Sequence, residues 1–237
     1  MRQKNEFAAD MLDFDTEAHG GDILWVAGVP EQSEVLLGGI GAIDVPFFAC
    51  SPGTVVADPS IQPKAHRLFV RAYGDDIVRL TINASEDSLP DDGQNPMLEW
   101  DRSLRRTVLS RTSEEGRLKF LDADKRVRFQ VESGTGRRFR AVVFPDGKTA
   151  IPFASDDTYS ADRPESVPLG FSISGTGSIR CVYSLRSQAS EHFAGTGERF
   201  SRLDLAGQTL VLENTDAQGV NSRRAYKNIP FYVSSRP

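Results

Sequence analysis

Hydrophobic and polar residues alternate in short runs along most of the chain, and turn-forming residues separate the runs. Residues 67–82, "RLFVRAY" and "IVRLTI" around Gly74-Asp75-Asp76, predict an antiparallel hairpin, because apolar side chains at period two suit a half-buried strand. Residues 117–131 predict a second. There Val127, Phe129 and Val131 face one way, and Arg126, Arg128 and Gln130 the other. "FRAVVF" runs into Pro145-Asp146-Gly147, a turn with a fixed φ, a side-chain acceptor and a residue tolerant of positive φ. Residues 170–185 predict another hairpin, and strands are expected at 208–214 and within "AYKNIPFYV" (225–233). Pro230 lies inside that last run, which assigns it to a sheet edge or a bulge. "IDVPFFACSPG" (43–53) reads as strand and turn, and the stretches 52–63 and 90–96 read as loops. Helical periodicity is confined to a turn or two in the first fifteen residues. The expectation is an all-β chain with little helix, folded as one large antiparallel β-sandwich over residues 1–237.

Composition narrows the function classes. The chain has 237 residues, 39% hydrophobic and 26% charged, with a formal net charge of -5, which opposes general nucleic-acid binding. The arginine-rich run 101–111 reads as a solvated strand or loop. Cys50 and Cys181 form neither a disulfide framework nor a zinc motif, and they suit a reducing cytoplasm. No stretch is long and apolar enough for a membrane helix, and the N-terminus lacks the apolar region of a signal peptide. Neither a nucleic-acid nor a membrane partner is expected.

Catalytic motifs are lacking. The "GTG" triplets at 134–136, 175–177 and 195–197 miss the third glycine and the following helix of a dinucleotide site. His19, His66 and His192 are scattered, and Asp122-Ala123-Asp124 lacks the glycine and terminal glutamate of a calcium loop, so it reads as a turn. No metal or cofactor is expected. Trp25 and Trp100 stand in apolar, strand-like contexts and read as core, not as sugar platforms.

The last 47 residues carry a more specific pattern. A "GTGERF" turn (195–200) is followed by "GQT" (207–209), then Asn214 and Asp216, Gly219 and Ser222, and finally "AYKNIPFY" (225–232). In this order and spacing the pieces resemble the end of the N-terminal domain of glycoside hydrolase family 31, and AYKNIPFY most resembles its bacterial α-xylosidase branch. The resemblance implies a galactose-mutarotase-like supersandwich placed before a (β/α)8 barrel. That barrel would carry both catalytic aspartates of a retaining α-glycosidase, so this chain alone is expected to be inactive, with no catalytic residue of its own. Its implied role is to brace the barrel and lend a loop to the aglycone side of the active site, with Asp216 as the substrate-binding candidate. A carboxylate suits that task because it accepts hydrogen bonds from vicinal hydroxyls. The competing reading of Asn214-Thr215-Asp216 is an ordinary Asx turn. The implied partners are the chain's own barrel and an α-linked oligosaccharide, and an uncovered barrel-facing surface would favour a homo-oligomer. Gly195 and Gly197 are expected to permit a bend, Glu198 to pair with Arg199 or the barrel, and Tyr226 and Phe231 to anchor packing. The alternatives are a stand-alone carbohydrate-binding module and an aldose mutarotase, the latter opposed by the dispersed histidines.

Overall fold

The chain is seen in a computed structural model that describes residues 23–30, 34–50, 57–82, 106–134, 138–154, 167–173, 179–198, 202–208, 210, 212 and 227–236. These residues contain strands and turns and no helix. The helical turn expected in the first fifteen residues, the loop at 90–96 and Trp100 all lie outside them. Two compact units are present, one within residues 10–186 and the other within 187–237.

The first unit is an antiparallel sandwich. Its strands begin with β1 (Ile23–Ala27), β2 (Glu34–Leu37), β3 (Ile40–Ala49), β4 (Lys64–Tyr73) and β5 (Ile77–Ile82). They continue with β6 (Arg106–Thr107), β7 (Ser110–Glu114), β8 (Arg117–Leu121) and β9 (Val127–Glu132). β10 (Ala141–Val143), β11 (Ile151–Pro152), β12 (Leu169–Ile173) and β13 (Ile179–Tyr183) complete it. One sheet runs β13-β12-β1-β3-β4-β5, with β2 on β3 and β6 on β4, and the other runs β11-β10-β9-β8-β7. The hairpins expected at 67–82, 117–131 and 170–185 form as β4–β5, β8–β9 and β12–β13. Asp146 caps the turn after β10 by accepting from the Lys148 and Thr149 amides at 2.8 and 2.6 Å.

Alternation supplies the core. Ile43, Val45, Phe47 and Ala49 of β3 and Leu68, Val70 and Ala72 of β4 pack in one cluster with Leu118, Phe120, Phe129, Val131 and Ala141 of the smaller sheet. Each sheet hides one face against the other, as a two-layer β fold requires. The fit is close at Gly41, where a Cβ would stand 2.7 Å from the Phe120 ring, so the facing aromatic rests directly on β3 backbone. Trp25 is buried and stacks on Phe171 at 6.4 Å, in agreement with its reading as core. Pro46 sits within β3 without breaking it. Its carbonyl accepts from the Gly28 amide, so its ring nitrogen faces the same gap between β1 and β2, where no ladder donor is needed.

Two details depart from the sequence pattern. Arg128 occupies the face of β9 opposite Phe129, yet it is fully buried. Its guanidinium donates to the Gly74 and Ile77 carbonyls of the β4–β5 turn at 3.1 and 3.2 Å, and to Asp122 at 3.3 Å. Asp122 also accepts from the Asp124 and Arg126 amides and from the Arg126 side chain, which reaches Asp75 at 2.7 Å. Burial pushes the Asp122 carboxyl up, but the hydrogen bonds from Arg126 and Arg128 outweigh it and hold the group below the usual aspartate value. This turn therefore ties the two sheets together. Second, the strand expected at 208–214 is absent at its described positions, Gln208, Leu210 and Leu212. Gly207 at φ 69° and the Gln208 amide bonded to the Leu205 carbonyl turn the chain there instead.

Removing Asp122 leaves a buried guanidinium without its counter-charge, whereas Asp75 is almost fully exposed. Asp122→Ala should cost about 3–5 kcal/mol and Asp75→Ala less than about 1 kcal/mol. Urea denaturation at pH 7 reads both, and equal losses would refute the sheet-linking role.

Candidate functional site

The second unit holds β14 (Phe193–Glu198) and β15 (Lys227–Ser234), paired antiparallel from Phe193↔Ser234 to Glu198↔Lys227. Their register shifts between Gly195 and Gly197, where Ile229, Pro230 and Phe231 oppose the single residue Thr196. Pro230 therefore sits in a bulge of a two-stranded ribbon, where its missing N–H breaks no ladder. Gly195, Thr196 and Gly197 all have positive φ, at 117°, 68° and 99°. A Cβ on Gly195 would stand 2.8 Å from the Phe231 carbonyl oxygen, and one on Gly197 would overlap that of Lys227. Both glycines are thus required by conformation and by space. Thr196 is β-branched in the left-handed region, an uncommon and costly state that the flanking pairs enforce.

A polar clamp closes the base of this hairpin. Glu191 is buried before β14 and Arg236 follows β15, and Arg236 donates to it at 2.9 and 3.3 Å. Glu191 also accepts from the Ser234 hydroxyl and from the Gln188 amide. The Arg236 guanidinium is the chief cause that holds the Glu191 carboxyl down at about 2; burial opposes it, and Ser234 and Gln188 reinforce it. Beside it, His192 Nδ1 lies 2.7 Å from Asp204 Oδ2, and the His192 amide donates to the Ser235 hydroxyl. Asp204 accepts further from the Phe193 and Ala206 amides, and Gln208 donates to its carbonyl. Its carboxyl is held at about 2, first by His192 and then by those amides. The turn at 204–208 is thereby fastened to the start of β14.

These carboxylates are unsuited to proton donation. A general acid needs a pKa raised toward the working pH, and both groups are shifted the opposite way. Among the described residues no three His, Cys, Asp or Glu side chains gather into a metal-binding group. Nor does a described helix have the length and apolar character to cross a membrane.

Of the residues singled out in the sequence, Gly195, Gly197, Glu198, Gly207, Lys227 and Phe231 are found in this unit. Asp216 lies outside the described residues, as do Asn214, Gly219, Ser222, Tyr226, Arg199 and Phe200. Glu198 stands across from Lys227, 3.5 Å away, with both side chains exposed. Phe231 is 63% exposed. Sequence reasoning missed Glu191, His192, Asp204 and Arg236. Their signal is the placing of charged and hydroxyl residues, "SEH" and "SSR", immediately outside both ends of the apolar ribbon.

The sequence profile of the Glycosyl hydrolase 31 N-terminal galactose mutarotase-like domain matches residues 67–237, from β4 through the hairpin and its clamp. The chain belongs to this family. Its architecture is also similar to a crystal structure of uncharacterized protein lmo2446 from Listeria monocytogenes EGD-e. There the TM-score is 0.56 and the identity 15%, over 90% of this chain and 17% of that one. That likeness concerns the fold, and this chain spans about a sixth of the matched protein.

Glu191 has a lower pKa folded than its ordinary value of 4.5. Its contribution to stability is therefore complete above about pH 4.5 and is lost as pH falls toward 2. Glu191→Ala should cost about 3 kcal/mol of local stability at pH 7, speeding amide exchange in β14 and β15 roughly a hundredfold. In Glu191→Gln the protection factors, which are corrected for the intrinsic exchange rate, should lose the part of their pH dependence between 4.5 and 2 that Glu191 supplies, leaving the smaller part due to Asp204. Unchanged exchange in both variants would remove the clamp from the account.

Proposed function

We propose that residues 1–237 form the non-catalytic N-terminal domain of a retaining α-glycosidase of α-xylosidase type, ending before a catalytic (β/α)8 barrel. The observation that carries this reading is the family match over residues 67–237, within which residues 227–232 of the AYKNIPFY run lie in the bulged strand β15. The role is to brace the barrel and to carry the loop between β14 and β15 toward the aglycone side of the active site. The structure supports such a part through its rigidity. Two ionised carboxylates, a buried arginine and two obligatory glycines fix both roots of that connection. Burial of Trp25 removes one of the two aromatic platforms that a carbohydrate-binding module would offer. Cys50 is buried and Cys181 exposed, and neither is joined in a disulfide, which favours a cytoplasmic setting.

On this reading the catalytic carboxylates belong to the barrel, so the isolated chain turns over neither aryl α-xylosides nor α-glucosides. In the complete enzyme, Asp216 grips the leaving-group sugar. Asp216→Ala should remove a charge-assisted hydrogen bond of about 1.5–3 kcal/mol, lowering kcat/KM on an α-linked disaccharide roughly ten- to hundredfold. An aryl glycoside, having no second sugar to hold, should be nearly unaffected. Steady-state kinetics on the two substrates checks this. Equal loss on both would make Asp216 a determinant of site shape, and no change on either would leave it a turn residue.

A further inference from the structure

Ile229, Phe231 and Val233 of β15 are 54%, 63% and 56% exposed, and Tyr232 between them is 44% exposed, so the apolar surface runs over residues 229–233. Among the described residues β15 pairs with β14 alone, and large apolar side chains in series are a costly surface to leave in water; such patches mark interfaces. The rim is charged, with Lys227 and Glu198 exposed at one end of the ribbon. An apolar centre with a polar rim is the anatomy of a protein interface. The stripe is also held rigid. The bulge at Pro230 and the glycines opposite set its shape, and the Glu191–Arg236 pair anchors the strand just beyond it. Rigid presentation reduces the ordering cost of docking.

We propose that this stripe is the seat of the catalytic domain. The inference rests on the functional reading above and adds to it which residues meet the partner. The family is defined as the N-terminal part of a glycosyl hydrolase, and the matched solved protein is several times longer than this chain, so a large following domain is the occupant with which the stripe is continuous in sequence. A competing seat exists on the sandwich. Ile179 and Tyr183 of β13 are also exposed, but they lack the bulge, the glycines and the clamp that fix β15.

Amide hydrogen exchange on residues 1–237 and on the full-length protein distinguishes the two. Exchange across 229–233 should slow at least about tenfold when the catalytic domain is present, with 179–183 unchanged. Phe231→Ser in the full-length protein should restore fast exchange, while Tyr183→Ser should not. Protection at 179–183 alone, protection of 229–233 that rises with the concentration of the chain by itself, or a protein with no domain after residue 237 would each overturn the proposal. Activity on aryl α-glycosides is read separately. Protection without any glycosidase activity would sink the functional reading and leave the docking surface intact.

Discussion

The ion pair between Glu191 and Arg236 is the constraint on which the β14–β15 hairpin depends. The two residues stand 45 positions apart, and their contact forces the chain to return to its starting point after the long excursion between β14 and β15. Both side chains are nearly inaccessible, so a partner lost on either side would strand a charge away from water. Closing that long connection costs chain entropy, and the clamp, the ladder and the turn at 204–208 together offset it. The described ends of the connection that carries Asp216, Glu198 and Lys227, are thereby held opposite each other.

The sandwich uses the same device in a different place. Asp122 and Arg128 form a buried pair, and the terminal guanidinium nitrogens of Arg128 also donate to the carbonyls of the β4–β5 turn. Apolar alternation builds the two facing layers, and this polar bridge fixes their turns relative to each other. In both units the carboxylate is kept ionised by arginine and backbone donors. None of these carboxyls has the raised pKa of a proton donor.

Much of the fold was legible because its signals are local. Gly74-Asp75-Asp76 and Pro145-Asp146-Gly147 mark turns by backbone preference, and period two marks the strands on either side. Pro230 announces its bulge for the same reason. Period two shows which residues share a face, but not whether a neighbouring turn covers that face, so the burial of Arg128 was invisible. The clamp was equally hidden, since pairing Glu191 with Arg236 requires the register of two strands separated by a long connection. The expected strand at 208–214 failed where Gly207 and the side chain of Gln208 favour a turn that apolar Leu210 and Leu212 do not betray. The family signature was readable as an ordered set of short motifs, and Asp216, the residue proposed to reach substrate, lies outside the described residues.

The central claim is that this domain is a rigid bracket delivering one carboxylate to the aglycone side of another domain's active site. A crystal structure of the full-length protein with an uncleaved α-linked disaccharide analogue tests it most directly. The account predicts an Asp216 carboxylate oxygen about 2.6–3.2 Å from a hydroxyl of the leaving-group sugar, with β15 packed on the catalytic domain. An Asp216 turned back onto its own loop, beyond hydrogen-bond reach of any sugar, would contradict it.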